Sequence, residues 1–292
     1  MTSHAETEIF SQPEIWEQTI AFYPKVAALL PKNGERVAFV GCGTSWFMSM
    51  AVADMRESMG LGESDAFTAS EFPLGRKYDR IVAISRSGTT TEVVDLLSKI
   101  SNTPTVIITA VAGSPVTENA DETVLLDFAD EESVLQTRYA TAVLVLMRTH
   151  FGEDIGHLVE QCRTILGTPL DAELLKVEQI AFLGTGWTIG LANEAALKTR
   201  ESSQFWAEAY PAMDYRHGPI SIAQPGRAVW IFGKSPAGLE KNIADSGALL
   251  VTSELDPMVH LVLAQRVAVA ISEGRGLDTD NPRGLARSIV LN

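Results

Sequence analysis

Two stretches of this chain repeat each other across a distance that no local structure explains. Residues 37–58 read VAFVGCGTSWFMSMAVADMRES and residues 180–202 read IAFLGTGWTIGLANEAALKTRES, an offset of about 143 positions. Each copy runs from an apolar segment through G-x-G and a hydroxyl residue into a helix-like segment that ends in R-E-S. A repeat this long means two copies of one domain rather than a solenoid, whose periods run roughly 20–50 residues. A chain of 292 residues has room for both.

Short β-rich runs follow each copy: 37–41, 80–85, 105–110 and 122–128 in the first half, then 179–184, 227–233 and 248–252. Apolar runs of four to seven residues suit strands buried on both faces of a parallel sheet. Their alternation with helical segments predicts an α/β protein of two tandem doubly wound units, each a mainly parallel sheet flanked by helices. The join falls within 152–176, where LVEQCRTILGTPLDAELLK reads as a helix and a turn, so the units are taken as 1–160 and 161–292.

Composition narrows the partners. A net charge of −14 without a basic patch speaks against nucleic acid. Cys42 and Cys162 lie too far apart in sequence to suggest a metal set, and they form no disulfide framework, which fits a reduced cytoplasm. The five histidines show no close pair at metal-ligand spacing. The polar start MTSHAETEIFSQPEIW does not read as a signal peptide, and AVLVLM is far too short to cross a bilayer. No metal, cofactor or membrane is therefore expected.

The stretch AISRSGTTTEVVD places Ser85, Ser87, Thr89, Thr90 and Thr91 around Gly88, between an apolar run and a helix. Such a turn offers free backbone N–H groups, the positive end of a helix dipole and adaptable hydroxyl donors, the makings of a phosphate site. The alternative is that the hydroxyls only cap the helix. GCGTS (41–45) ends the first strand in the same way, so Gly43, Thr44 and Ser45 are candidates to share that anion. The equivalent of the hydroxyl loop in the second half, GKSPAG, lacks the cluster. GCG also opens a dinucleotide fingerprint, but Phe47 or Met48 stands where its third glycine belongs, which disfavours a nicotinamide cofactor.

GCGTS, SRSGTT and the block EAALKTRESSQFWAEAYPAMDYRHGP (194–219), in this order and spacing, resemble the SIS (sugar isomerase) family in its tandem form. The likeness is to the isomerase part of glucosamine-6-phosphate synthase and to SIS-type amino-sugar-phosphate deaminases and deglycases. The resemblance implies flavodoxin-like domains and a sugar 6-phosphate held by Ser45, Ser85, Arg86, Ser87 and Thr90. Arg86 stands where the synthase has glutamine and would add a charge-assisted bond to the phosphate. EESVLQTR (131–138) resembles the family's substrate-lining helix start, which implies Val134 beside the sugar.

Glu194, Lys198 and Glu201 follow i, i+4 and i+7 spacing and share a helix face. Charged helix residues ordinarily form a solvated face, yet AAL in the same turns and the preceding QIAFLG require burial. His217 lies in a Gly-Pro turn. Aldose–ketose interconversion needs ring opening, which suits an imidazole, and proton transfer between C1 and C2, which suits a partly buried carboxylate. The resemblance assigns these roles to His217 and Glu201, with Lys198 orienting substrate or pairing with a carboxylate. It also implies that the histidine acts across the interface of a homodimer. Glu208 is a rival carboxylate, while Trp206 and Tyr210 read as core or interface residues.

Two departures qualify the resemblance. No glutamine-hydrolysing segment precedes the sugar half, and position 2 is threonine. In the tail DTDNPRGLARSIVLN, Arg287 stands where the synthase has a Schiff-base lysine, and a guanidinium cannot form that adduct. Both point to deamination of an amino sugar phosphate, or plain isomerisation, without a covalent intermediate. The competing readings are a fructosamine-phosphate deglycase and a catalytically silent sugar-phosphate sensor. The sensor would need neither Glu201 nor His217.

Overall fold

The computed structural model describes residues 2–291. Two short helices, α1 (His4–Phe10) and α2 (Gln12–Phe22), lead into β1 (Val37–Gly41), α3 (Thr44–Ser58), β2 (Ser64–Thr68), β3 (Arg80–Ile84), α4 (Thr91–Lys99), β4 (Thr105–Thr109), α5 (Pro115–Asn119) and β5 (Glu122–Leu125). Two helices then cross to the second half: α6 (Arg138–His150) and α7 (Gly156–Gly167). The pattern restarts with β6 (Gln179–Gly184), α8 (Thr188–Ser203), β7 (Trp206–Pro211), β8 (Arg227–Ile231), α9 (Leu239–Ser246), β9 (Leu249–Val251) and α10 (Pro257–Gly274).

Both sheets are wholly parallel. The first has strand order β2-β1-β3-β4-β5, and the second, β7-β6-β8-β9, repeats the first four places of it. The registers also correspond: Val37 lies beside Ser64 and Arg80, and Gln179 beside Trp206 and Arg227. The doubled α/β architecture expected from the repeat is therefore present. Strand alternation buries each sheet on both faces, as period 2 requires. Phe39 and Val82 of the first sheet and Phe182 and Trp230 of the second point into one core shared by the halves. Ala38, Val40 and Ile81 form a separate cluster on the outer side of the first sheet, and Ala181, Leu183 and Val229 one on the second.

Two strands were not legible. β2 (SDAFT) and β7 (WAEAYP) lie at sheet edges and are only partly buried, so they lack the apolar run that marks the central strands. Of the two readings of Trp206, core or interface, the structure corrects the first. Its ring is 55% exposed on the edge strand, with the Arg227 guanidinium 5.5 Å from the ring centre.

The halves meet through α3 and α8, the helices of the two repeat copies. Gly190 makes their approach possible, because a Cβ there would lie 2.5 Å from the Phe47 carbonyl oxygen. The pairing is a pseudo-twofold: a Cβ on Gly43 would face Leu197 of α8 at 3.9 Å, and one on Gly186 would face Asp54 of α3 at 3.1 Å. Each half thus lays its helix against the G-x-G loop of the other.

Candidate active site

At the carboxyl ends of β1 and β3, a cavity of about 220 Å³ lies between the halves. Ligands of open parallel sheets sit in this position. One wall comes from the first half: Cys42, Gly43 and Thr44 after β1, Thr90 after β3, and Val134 and Gln136 from the loop before α6. Lys198 and Glu201 of α8 face it, and residues 285–289 of the C-terminal tail, Arg287 included, complete the wall. Val134 sits in a loop rather than in the first turn of a helix, since α6 begins at Arg138.

The hydroxyl loop is built on one glycine. Gly88 has φ +66°, and a Cβ there would fall 1.9 Å from Ser114 Oγ, so neither the conformation nor the space admits a side chain. Capping does not account for the hydroxyls, because Thr90 at the N-cap of α4 makes no side-chain cap bond. Ser45, Ser85 and Ser87 are buried within the two loops. Ser85 Oγ has no hydrogen-bond partner among the described residues, but it is buried, and the hydroxyls that the two loops present on the cavity wall are those of Thr44 and Thr90. The tail reaches the same loop: Thr89 Oγ1 donates to Ser288 Oγ at 2.8 Å, and the Thr91 N–H donates to the Ile289 carbonyl at 3.1 Å.

The expectation for Arg86 is corrected. Its guanidinium is fully buried and forms no part of the cavity lining. It pairs with Glu131 Oε2 at 3.2 Å and donates to the carbonyls of Ser133 (3.0 Å), Val134 (3.2 Å), Leu135 (3.3 Å) and Arg287 (3.3 Å). A planar fork of donors suits that job, and both terminal nitrogens are spent on it, so only the buried Nε lacks a partner among the described residues. The donors that remain for an anion are neutral hydroxyls and amides, while Arg86 fixes the backbone of the wall. Arg287 is also occupied: it pairs with the Asp130 carboxylate and donates to the Glu131 carbonyl, which pins the tail to the same loop.

The shared face of Glu194, Lys198 and Glu201 is buried rather than solvated. Lys198 is 3% exposed, with its Nζ 3.6 Å from Glu194 Oε1 and in contact with Glu201 Oε2. Burial works to lower the Lys198 ammonium, but the charges of Glu194 and Glu201 outweigh it and the net shift is upward. Glu194 has no exposed surface and accepts from Thr44 Oγ1 at 3.2 Å; burial pushes its carboxyl up to about 8 against the pull of Lys198. Lys198 therefore stays an ammonium held between the carboxyl groups of Glu194 and Glu201, with only Glu201 left partly open at the wall.

His217 is not brought to this cavity by its own chain. It lies on an exposed turn beyond β7, next to the exposed Met213 of the same loop. Glu208 is also remote from the cavity wall: its carboxylate accepts from Gln179 Nε2 at 3.2 Å and Trp206 Nε1 at 3.1 Å. Glu131, Gln136 and Glu8 line or support the cavity and were missed by sequence reading. A lone glutamate on an N-terminal helix or in a polar loop looks solvated, and only the fold buries it. A larger hollow of about 550 Å³ lies at the pseudo-symmetric place beside Gly186 and Gly190. Asp54, Glu57 and Asp65 line it, so its field disfavours an anion.

Two parallel sheets, paired through their repeat helices around a hydroxyl-lined cavity, define a doubled α/β protein with one cavity at its strand ends. Residues 30–151 match the SIS domain model, and this segment of the chain is an SIS domain. Over 97% of the chain, it is 26% identical to a glutamine–fructose-6-phosphate aminotransferase (isomerizing) of Methanothermobacter thermautotrophicus and 28% identical to that of Pyrococcus horikoshii. The chain spans about half the length of these relatives, 57% in both. Glucosamine-6-phosphate deaminase of Thermotoga maritima superposes with a TM-score of 0.80 at 25% identity, covering 99% of this chain and 100% of that one. Tagatose-6-phosphate ketose/aldose isomerase of Escherichia coli shares the fold, with a TM-score of 0.79 at 19% identity and 97% coverage of both chains.

Proposed function

We propose that the chain is a phosphosugar isomerase or deaminase that acts on a hexose or amino-hexose 6-phosphate in the 220 Å³ cavity. The observation that carries the reading is the meeting, in one cavity, of two hydroxyl-bearing loops at strand ends with Glu201 and Lys198 on the opposite wall. In this reading the two loops, one carrying Ser45 and the other Ser85, Ser87 and Thr90, hold the phosphate, with Thr90 on the cavity wall, and Val134 and Gln136 flank the sugar. Glu201 moves the proton between C1 and C2 through an enediol or enolamine. Lys198, kept protonated between Glu194 and Glu201, donates hydrogen bonds to the charge that develops on oxygen. As an ammonium it is a poor nucleophile, and Arg287 is a guanidinium, so the route runs without an imine to the enzyme.

The exposed turn of His217 supports a second part of the proposal: the ring-opening imidazole reaches the cavity from a partner subunit, and the homodimer is the catalytic unit. Glucosamine 6-phosphate is the first substrate to try, since loss of its amine leaves a ketose phosphate. Assays should follow ammonia release, ketose formation and exchange of the C2 proton with deuterated water. Glu201→Gln should lower turnover by about two to four decades and abolish exchange, while binding survives. Exchange at the normal rate in that variant would remove Glu201 from the role of base.

A further inference from the structure

Helix α1 stands outside both sheets, yet it reaches the cavity wall. Its first N–H groups, those of His4 and Ala5, donate to the Asp280 carboxylate of the C-terminal tail at 3.0 and 3.2 Å. The face buried by this contact carries Ala5, Ile9 and, unexpectedly for an apolar stripe, Glu8, which is only 3% exposed. Among the described residues no lysine, arginine or histidine forms an ion pair with it. Its Oε1 instead accepts the backbone N–H groups of Glu132 at 2.6 Å and Ser133 at 3.2 Å.

Those two amides belong to the segment that presents Val134 and Gln136 to the cavity. The rest of the segment is held from other sides. Arg86 takes the Ser133, Val134 and Leu135 carbonyls, Ser133 Oγ accepts from the Leu135 N–H at 2.9 Å, and Glu131 Oε1 accepts the N–H groups of Thr137 and Arg138 at 2.5 and 2.8 Å. Without Glu8, the amides of Glu132 and Ser133 would lose their only acceptor among the described residues. A buried carboxylate with no ion-pair partner is a poor way to stabilise a helix contact, but its geometry matches the fixing of a backbone.

We infer that Glu8 is a positioning residue: from α1 it sets the backbone at 132–133 and thereby the sugar-facing side chains at 134 and 136. This rests on the proposed reading of the cavity as the sugar site. It also means that the docking of α1, through Asp280 and Glu8 together, and the shape of the cavity are coupled.

The test is amide hydrogen exchange on the full chain, followed by steady-state kinetics with glucosamine 6-phosphate. In Glu8→Ala, exchange at Glu132 and Ser133 should rise about tenfold or more, as expected when both amides lose their hydrogen-bond acceptor. Strands β1 and β3 should keep wild-type protection. Glu8→Gln retains the acceptor oxygen and should restore both amides to near wild-type rates. Glu8→Asp, one methylene short, should behave as the alanine variant and serves in its place if alanine does not fold. KM should rise by about tenfold in the alanine and aspartate variants with kcat changed far less, and glutamine should rescue it. Unchanged exchange at the two amides, or a rise spread evenly over β1 and β3, overturns the inference. So does an unchanged KM in a variant whose amides have opened. If the wild type does not turn over glucosamine 6-phosphate, the reading of the site fails, while the exchange arm still decides whether Glu8 fixes this backbone.

Discussion

The Arg86–Glu131 pair shows how a residue chosen for one task can be spent on another. A basic residue inside a hydroxyl loop suggests a phosphate ligand, and nothing local in the sequence says otherwise. The fold brings Glu131 and four carbonyls to it, and neither side chain of the pair retains exposed surface. Removing one partner of such a pair leaves an uncompensated buried charge and costs about 3–5 kcal/mol. Arg86→Met should therefore lower the unfolding free energy by about that amount in a urea titration, and should distort the sugar wall as well. A midpoint unmoved from the wild type would show that the donors on Glu131 Oε1, from Thr137 and Arg138, suffice without the guanidinium. The cavity residues Gly43, Thr44, Thr90, Lys198 and Glu201 were legible because their motifs keep order and spacing. Glu8 and Glu131 were not, because burial of a single carboxylate is a property of the packed molecule.

Among the elements, the central strands were readable to within about two residues because both of their faces are buried. Of the four edge strands, β5 and β9 keep a short apolar run (TVLL and ALLV) and were read, whereas β2 (SDAFT) and β7 (WAEAYP) have none and were missed. The helices add a pH dependence that composition does not reveal. His260 of α10 is 1% exposed and packs on Trp230 with ring centres 4.8 Å apart, and burial lowers its imidazole to about 4. Its folded-state value lies below the unfolded one, so the unfolded chain binds the extra proton between about pH 6.5 and 4, and stability is lost as pH falls through that window. Glu8 of α1 works in the opposite sense. Burial, then the nearby charge of Glu131, raises its carboxyl to about 7, so the folded chain holds the extra proton between about pH 4.5 and 7 and stability falls as pH rises. The two slopes oppose each other in the wild type. Glu8→Gln removes one of them, so this variant should lose more stability than the wild type between about pH 7 and pH 5, measured by chemical denaturation at each pH. Equal losses would show that Glu8 does not take up its proton in this range.

On the scale of the whole molecule, the doubling is unequal: one G-x-G loop meets a hydroxyl cluster and a buried lysine, and its counterpart meets Asp54 and an acidic hollow. If His217 serves the cavity of a partner subunit, two dead proteins should help each other. Mixing Glu201→Gln with His217→Ala under conditions that exchange subunits should return up to about a quarter of wild-type activity, since only one of the two sites in a hybrid dimer is intact. No recovery despite proven exchange would place both residues in one subunit's site.

The crossing of α3 and α8 has a further consequence for any attempt to take the molecule apart. The loops proposed to hold the anion come before residue 151, whereas the proposed base and the tail that complete the wall come from α8 and beyond. A cut in the connection between α7 and β6 would leave one fragment that grips without reacting and another that carries the acid–base groups without a grip. Each fragment would also present its share of the common core to water, so neither should be soluble or active when made alone. Made together in one cell, the two fragments should find each other through that same surface and recover the reaction. The protein would then be a natural split reporter, with its seam lying through its active site.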